Sequence, residues 1–236
     1  MSIKPKKILA FIPARGGSKG IPNKNIVDLN GKPLIAWTID EAKKSKYIDK
    51  IVVSSQDKKI LAAAKLYGAE TIKRPKELAT DNVSPEPSLT HALKILSTKK
   101  YTPDIIIYLE PTSPLRTVSD IDGALEKFLN SKATALISVY KLDKKLLKSF
   151  KLTGQGYLVG TVNNRYPFAN RQSLPEIYLS SGSIYIIDRK TFLKDERLYS
   201  TKTIPYHVDS DSNIDLDTVA DLERVRELIN KRKITI

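Results

Sequence analysis

Short apolar runs alternate with amphipathic runs over roughly the first 140 residues of the sequence. The runs ILAFIP (8–13), KIVVSS (50–55) and DIIIYLEP (104–111) predict buried strands, and ETIKR and ATALISVY predict two more. The stretches between them have helical spacing, and Ser119 is the predicted N-cap of the helix SDIDGALEKFLN. Apolar strands that alternate with helices are typical of parallel sheets. The pattern therefore predicts an α/β fold with an open, mostly parallel sheet covered by helices on both faces.

The alternation breaks after about residue 140. The stretch 141–177 carries turn signals at Gly154, Gly156 and Asn163 between short β-like pieces, so it predicts a small hairpin-rich insertion. Strand-like runs (GSIYIIDRKTF and TIPYHVD) and a closing helix (DTVADLERVRELINK) follow it. We therefore predict one main α/β domain made of residues 1–140 and 178–236, with residues 141–177 inserted into it.

A glycine-rich, cationic loop, ARGGSKGIPNKN (14–25), follows the first predicted strand. Open parallel sheets bind ligands at the carboxyl ends of their strands, and this loop leaves such an end. Its glycines allow backbone N–H groups to approach a ligand, while Arg15, Lys19 and Lys24 add positive charge. The loop matches neither the Walker A nor the G-x-G-x-x-G pattern. It is either a cradle for a polyphosphate or a cationic surface turn.

Two aspartates, Asp215 and Asp217, stand just before the closing helix. In an extended segment, side chains two residues apart point to the same side. Such a pair suits Mg²⁺, which takes one or two protein carboxylates together with phosphate oxygens of a substrate. A structural role is also open, because Asp217 followed by Thr218 and Asp221 has the pattern of an N-cap with a capping box.

The segment YLEPTSPLRT (108–117) follows a strong strand pattern with prolines, hydroxyl side chains and an arginine. In a doubly wound sheet, this polar shelf would lie in the same crevice as the loop 14–25. A plain strand-to-helix connection is the alternative. The two histidines lack the spacing of metal ligands, and His91, on an apolar helix, is predicted to belong to the core.

The chain of 236 residues carries 40 Lys and Arg against 26 Asp and Glu, a formal net charge of +14. This charge favours anionic partners, although lysines spread over several runs are also typical of ordinary solvated faces. The absence of cysteine excludes disulfides and thiolate metal sites. We interpret the N-terminus as lacking an export signal, and no apolar run reaches about 20 residues, so we expect a cytoplasmic protein with no membrane partner. We expect no nucleic-acid partner, because the sequence has no RNP-type or interleaved aromatic pattern.

Six motifs occur in an order that is typical of one enzyme family: IPARGGSKGIPNKN, RPKELATDN, LEPTSPLR, RQSLP, GSIYI and NIDLDTVADL. With these motifs the sequence resembles the acylneuraminate cytidylyltransferases, also called CMP-nonulosonate or CMP-sialic acid synthetases. The resemblance implies a fold of the nucleotide-diphospho-sugar transferase type with a dimerisation insertion. It also implies transfer of CMP from CTP to the anomeric hydroxyl of a nonulosonic acid, a nine-carbon 2-keto acid, with release of pyrophosphate. The implied enzyme is a Mg²⁺-dependent homodimer, in which Mn²⁺ could replace Mg²⁺.

The resemblance also implies roles for particular residues. The catalytic positions are Arg15, Lys24, Asp215 and Asp217, and the two aspartates are the implied metal ligands. The implied nucleotide-binding residues are Arg15, Gly16, Ser18, Lys24, Asn25, Arg74 and Ser84. The implied sugar-binding residues are Glu110, Thr112, Ser113, Lys148, Arg171, Ser181 and Tyr185. Among these, Lys148 and Arg171 lie in the insertion and resemble cations that reach the site of the partner subunit.

Two positions depart from the family pattern, since Glu110 stands where Gln is usual and Ser181 where Asn is usual. Both changes remove N–H donors, so the pocket becomes a better acceptor and a poorer donor. We therefore predict a preference for a nonulosonic acid other than N-acetylneuraminic acid, most plausibly a 5,7-diamino sugar whose extra N–H groups meet Glu110. The alternative is that Glu110 replaces Gln through its acceptor oxygen while Ser181 recruits a water.

Two other functions stay open on the sequence alone. One is a cytidylyltransferase for an eight-carbon keto acid of the Kdo type, although PTSPLR and RQSLP resemble the nine-carbon branch. The other is a basic nucleic-acid-binding protein, which the charge permits but which lacks the aromatic patterns of RNA-binding modules.

Overall fold

A computed structural model of the chain describes residues 6–18, 20–80, 83–209 and 214–234. The strands are β1 (Ile8–Pro13), β2 (Asp28–Leu29), β3 (Lys32–Pro33), β4 (Lys50–Ser55), β5 (Glu70–Lys73), β6 (Ile105–Leu109), β7 (Ala135–Lys141), β8 (Phe150–Leu152), β9 (Leu158–Gly160), β10 (Tyr178–Asp188) and β11 (Thr203–His207). The helices are α1 (Leu34–Lys44), α2 (Lys58–Leu66), α3 (Glu86–Thr98), α4 (Val118–Leu129), α5 (Arg189–Asp195) and α6 (Val219–Ile234).

The main sheet has seven strands in the order β11-β7-β10-β6-β1-β4-β5. Strand β10 runs antiparallel to β6 and β7, and the other neighbouring strands pair in parallel. The prediction of an open, mostly parallel α/β sheet is therefore confirmed. The chain leaves β1 toward β4 on one side and returns to β6 on the other, so strand order reverses next to β1, which is where such sheets bind ligands.

The sheet is buried on both faces because its central strands are apolar throughout. Leu9 and Phe11 of β1 pack in one cluster with Leu89 of α3, and Ile12 packs in another with Ile35 of α1. All five side chains are fully buried. This two-sided burial explains why the predicted strands show no alternation of polar and apolar residues.

The start of α4 differs from the prediction. Its N-cap is Thr117, not Ser119, because Asp120 stands three residues after Thr117 and completes a capping box. Asp120 N–H donates to Thr117 Oγ1 at 3.3 Å, and the Asp120 carboxylate accepts from Thr117 N–H at 2.8 Å. Ser119 is an exposed residue of the first turn. Asp57 is the N-cap of α2, and its Oδ1 accepts from Lys59 N–H at 2.7 Å.

Between β7 and β10 the chain leaves the main sheet. Strands β8 and β9 form a separate antiparallel pair, and short 3-10 turns occupy much of the rest. Several large apolar side chains of this region are exposed, among them Leu152, Leu158 and Phe168. Treating 141–177 as a distinct dimerisation unit stays a prediction. No helix in the described part of the chain has the length and apolar character needed to cross a membrane.

Candidate active site

A cavity of about 580 Å³ opens at the carboxyl ends of β1 and β6. Its walls come from the loop after β1, the turn after β5, the segment after β6 and the residues before α6. The structure brings many predicted site residues together there: Arg15, Ser18, Lys24, Asn25, Arg74, Ser84, Glu110, Thr112, Asp215 and Asp217 all line it. Lys19 lies outside the described residues. The cationic loop and the aspartate pair, far apart in sequence, thus share one cavity.

The loop after β1 is held against the segment that carries the aspartates. Lys24 Nζ donates to Leu216 O at 2.9 Å and to Asp217 Oδ1 at 2.8 Å. Asn25 Nδ2 donates to Arg15 O at 2.8 Å and so holds the loop's own backbone. At Gly20 a side chain would not fit, because a Cβ there would lie 2.2 Å from Asp217 O.

Asp217 does not cap α6. Thr218 Oγ1 accepts from Asp221 N–H at 3.2 Å, and the Asp221 carboxylate accepts from Thr218 N–H at 2.7 Å, which is a complete capping box without the Asp217 side chain. The Asp217 carboxylate instead meets Lys24. Asp215 and Asp217 both line the cavity. The capping role that the sequence offered for this motif is carried out by Thr218 and Asp221.

Three carboxylates influence one another across the cavity. Burial, together with the charges of Asp215 and Asp217, raises the pKa of Glu110 to about 7, although the charges of Arg116 and Lys24 lower it. Asp215 is open to the cavity, yet the surrounding walls still exclude enough water to raise its pKa, against a hydrogen bond with Thr112. Because these carboxylates repel one another when they are ionised, a cation bound between them would stabilise their charged forms.

The donor set fits a Mg²⁺ ion that is shared with a phosphate group. Asp215 and Asp217 offer carboxylate oxygens, and no group of three or more His, Cys, Asp or Glu side chains suited to a metal occurs among the described residues. Mg²⁺ keeps several waters and takes one or two carboxylates plus substrate phosphates rather than an all-protein cage. The residues present match that pattern.

Arg74 forms a buried part of the cavity wall. Its side chain is only 6% exposed, and its Nε has no hydrogen-bond partner among the described residues. Burial lowers the pKa of Arg74, and the charge of Arg15 lowers it further. A buried donor without a partner costs free energy, which an acceptor atom of a ligand would recover.

The described cavity lining does not include six of the predicted residues: Gly16, Ser113, Lys148, Arg171, Ser181 and Tyr185. Gly16 packs under the loop, where a Cβ would lie 2.8 Å from Asp57 Oδ2. Ser113 is buried. Lys148 and Arg171 lie in the insertion, where Arg171 pairs with Asp143 at 3.4 Å. Their predicted contribution to a partner subunit's site stays a prediction.

Ser181 does not turn its hydroxyl toward the described cavity. Its Oγ lies 2.7 Å from Ser138 Oγ, and the residue is buried. The pairing of β10 with β7 shifts register between Ser180 and Tyr185, and this irregularity turns the chain there. Tyr185 lies edge-on to Tyr108, with ring centroids 5.8 Å apart, and lines a second cavity of about 380 Å³ that shares Ser84 with the first.

Arg116 is a residue whose role the sequence did not reveal. It is buried, and its Nη1 donates to Glu110 O at 3.1 Å and to Ser183 O at 2.7 Å, while Nη2 donates to Thr38 Oγ1 at 2.7 Å. Burial lowers its pKa to about 10, and the charge of Glu110 acts against that shift. Arg116 therefore joins the end of β6, strand β10 and helix α1 behind the cavity. The sequence feature that could have indicated this role is the position of Arg116 at the end of the PTSPLR motif.

Comparison with known proteins settles the family. Residues 9–234 match the model of a family described as cytidylyltransferase. The chain belongs to this family. It is an enzyme of the cytidylyltransferase class, and the fold, the cavity and the motif order agree with that membership.

Three curated relatives are similar along nearly the whole chain. A pseudaminic acid cytidylyltransferase of Campylobacter jejuni is 32% identical over 92% of this chain and 94% of the relative. A CMP-N,N'-diacetyllegionaminic acid synthase of Legionella pneumophila is 34% identical over 94% and 96%. An N-acylneuraminate cytidylyltransferase of Escherichia coli is 33% identical over 98% of this chain, which spans only 54% of that relative's length.

Solved structures show the same fold. A CMP:2-keto-3-deoxy-manno-octonic acid synthetase complexed with CTP superimposes with a TM-score of 0.71 at 18% identity, covering 96% of this chain and 99% of the other. A 4-diphosphocytidyl-2C-methyl-D-erythritol synthase of Anaerococcus prevotii gives a TM-score of 0.66 at 17% identity, covering 96% and 100%. The nucleotidyltransferase fold expected from the sequence is therefore confirmed.

Proposed function

We propose that this enzyme transfers CMP from CTP to the anomeric hydroxyl of a nonulosonic acid and releases pyrophosphate. The observation that carries the proposal is the meeting of the cationic loop and the aspartate pair in one cavity of about 580 Å³. The similarity of more than nine tenths of this chain to relatives named for pseudaminic, legionaminic and N-acylneuraminic acids supports this substrate class. The Kdo-type alternative has support at the level of fold alone.

The residues of the cavity divide the work of the reaction. Arg15 and Lys24 would hold the triphosphate, and Asn25, Arg74 and Ser84 would contact the cytidine. Asp215 and Asp217 would hold Mg²⁺, which when bound neutralises charge that develops on the phosphates. The nucleophile is the hydroxyl of the sugar, so the protein needs no nucleophilic side chain. Its task is to orient that hydroxyl toward the α-phosphate and to exclude water.

Glu110 is the cavity residue best placed to influence the choice of sugar. Its pKa of about 7 means that its carboxyl is partly protonated at neutral pH, when it can donate as well as accept a hydrogen bond, as Gln does. Above that pH it only accepts, which favours sugars with extra N–H groups. Ser181 adds no support to the prediction of a 5,7-diamino sugar, because its hydroxyl bonds Ser138.

The second cavity supports a sugar that carries acyl groups. Its walls include Ile137, Tyr185, Leu198 and Tyr199 together with the charged residues Glu86, Glu196 and Arg197, and it shares Ser84 with the first cavity. An apolar recess beside the reacting centre is suited to bury methyl groups and to select substituents by size. A sugar bound across both cavities would place its acyl substituents there and its anomeric carbon near Glu110.

We also propose a cytoplasmic homodimer. The exposed apolar side chains of the insertion, such as Leu158 and Phe168, support a contact with a second copy, since such surface is unusual on a monomer. Lys148 and Arg171 would then serve the neighbouring site. Mixing a Lys148→Ala chain with an Asp215→Asn chain tests this, because a shared site restores activity in the heterodimer. Proven chain exchange without recovery would exclude the sharing.

The decisive test of the function is a pyrophosphate-release screen. CTP and Mg²⁺ are combined with sialic, legionaminic, pseudaminic and Kdo acids in parallel, with ATP and UTP as nucleotide controls. We expect release only with CTP and a nine-carbon acid, and no response to added RNA. Release with Kdo alone, or release with no keto acid, would contradict the proposal. Replacing Mg²⁺ with Mn²⁺ or adding a chelator tests the proposed metal requirement in the same assay.

A further inference from the structure

The ion pair between Lys24 and Asp217 occupies the position where the metal is expected. Lys24 Nζ lies 2.8 Å from Asp217 Oδ1 and 2.9 Å from Leu216 O. The Lys24 side chain is only 13% exposed, whereas Asp217 is 69% exposed. The lysine is therefore the more enclosed partner, and its ammonium group has exchanged water for two acceptors of this one segment.

The same ammonium group acts on the other two carboxylates of the cavity. Glu110, Asp215 and Asp217 all line the cavity with Lys24. The lysine thus supplies positive charge to a cavity whose three carboxylates are unfavourable together without a cation.

A divalent ion on Asp217 would compete directly with this lysine. An ammonium group and a dication a few ångströms apart repel each other, and the enclosed Lys24 side chain has little water of its own to screen that repulsion. Moreover, an Asp217 oxygen that accepts from Lys24 has less lone-pair density to offer a metal. For the metal to bind well, Lys24 has to move.

We propose that Lys24 is a positioning residue that keeps metal off Asp217 until a nucleotide is bound. The role of Lys24 rests on the proposed function in one respect: it takes a phosphate-bearing nucleotide and Mg²⁺ as the ligands of the cavity. The phosphates offer Lys24 Nζ new anionic partners and offer the metal the oxygens that two aspartates lack. Nucleotide and metal therefore bind cooperatively, and by linkage each raises the affinity for the other by the same factor.

The backbone around the lysine favours an exchange of partners over a movement of the loop. Gly20 packs against Asp217 O so closely that a Cβ would lie 2.2 Å from it, and Asn25 Nδ2 holds Arg15 O. The loop and the aspartate segment are thus fixed relative to each other at these points. The long Lys24 side chain can turn from Asp217 to a phosphate while its backbone stays in place.

Binding of Mn²⁺ in the absence of nucleotide, followed by electron paramagnetic resonance, tests the proposal. We compare the native protein with Lys24→Met, which keeps the length of the side chain and removes its charge. The matched control is Lys32→Met, since Lys32 is also partly buried and pairs with Asp40. Lys24→Met should bind Mn²⁺ about fivefold or more tightly than the native protein. Lys32→Met should bind it as the native protein does.

Further measurements separate this role from a structural one. Adding CTP should raise Mn²⁺ affinity more in the native protein than in Lys24→Met, and Asp217→Asn should remove the gain from Lys24→Met. Lys24→Gln and thermal melts check that the fold is intact. Equal, weaker or undetectable nucleotide-free Mn²⁺ binding in folded Lys24→Met overturns the proposal. The pyrophosphate screen can fail while the Mn²⁺ result stands, so the two proposals fail separately.

Discussion

The cavity and the insertion arrange their side chains in opposite ways. In the cavity, the cations Lys24 and Arg74 are largely enclosed, and Lys24 bonds across a long stretch of chain to Leu216, 192 residues away. In the insertion, ion pairs such as that of Lys144 with Glu176 lie at the surface, and large apolar side chains such as Phe168 face solvent. The cavity thus encloses cationic side chains, whereas the insertion exposes apolar ones.

This difference indicates where each region obtains its missing partners. The cavity has buried polar groups without partners, such as Arg74 Nε, which a small polar ligand would satisfy. The insertion has apolar surface, which only another large surface can cover. Changes in the cavity should therefore alter ligand binding, pH dependence and turnover, whereas changes in the insertion should alter association.

The largest effect is expected at Asp217. Asp217→Asn should reduce turnover by about a thousandfold, because preorganised charge at the phosphates is lost, while the thermal melt stays near that of the native protein. Asp221→Ala is the matched control, since it removes the carboxylate half of the capping box of α6 and should cost up to about 1 kcal/mol of stability with turnover largely kept. Steady-state pyrophosphate release and melting curves measure both. Equal losses of stability in the two variants would show that the Asp217 side chain also caps α6.

The pH dependence of stability should be dominated by Glu110. A carboxyl whose pKa is raised from 4.5 to about 7 binds its proton more tightly when the protein is folded. The stability that this proton gives is full below pH 4.5 and is lost as pH rises through about 7. Glu110→Gln should therefore gain about 3 kcal/mol relative to the native protein between pH 5 and pH 9.

Denaturant unfolding of metal-free protein at both pH values measures the effect. Glu176→Gln in the insertion is the control: Lys141 and Lys144 lower the pKa of this exposed carboxylate, so its contribution is lost as pH falls, and it should be much smaller. Identical pH dependence in native protein and Glu110→Gln would show that Glu110 is not buried as the structure has it.

A smaller effect is expected at Arg15. Arg15→Ala should weaken CTP binding about tenfold, since a charge-assisted hydrogen bond contributes roughly 1.5–3 kcal/mol. Lys151→Ala, which removes an exposed cation from β8 in the insertion, should leave CTP affinity unchanged. Calorimetric titration with CTP compares the two. A similar loss from both would mean that net positive charge, and not the cavity, binds the nucleotide.

The smallest effect on monomer stability is expected in the insertion. Replacing both Leu158 and Phe168 with Ser should change the free energy of unfolding by less than about 0.5 kcal/mol per site, because both side chains are exposed. Sedimentation should nevertheless shift toward the monomer. Leu66→Ser, an 83% exposed position on α2, is the control and should shift neither quantity. An unchanged dimer in the double variant would remove the insertion from the interface.

Local patterns were sufficient for much of the fold. The strands β1, β4 and β6 follow from short apolar runs, since neighbours in sequence determine them. Ser119 has the residue type of an N-cap, but the reciprocal bonds between Thr117 and Asp120 place the cap of α4 two residues earlier. That pattern was present in the sequence.

Long-range geometry explains what sequence reasoning could not reach. The partners of Arg116 lie on three elements, and the antiparallel placement of β10 decides that Ser183 is one of them. The register shift between Ser180 and Tyr185 turns Ser181 toward Ser138, which no motif reveals. The sharing of one cavity by Lys24 and Asp217 was inferred from the resemblance, but their direct ion pair was not.

The close approach of Gly20 to Asp217 also bears on biosynthesis. The ribosome delivers the loop after β1 before the other six strands of the main sheet, and it delivers Asp215 and Asp217 only after all seven of them. Folding during translation proceeds from the N-terminus, so the sheet can assemble before its cavity is complete. A product that stops after β11 would contain all the strands and neither aspartate. Such a truncated chain would lack the carboxylate partner of Lys24 and one wall of the cavity.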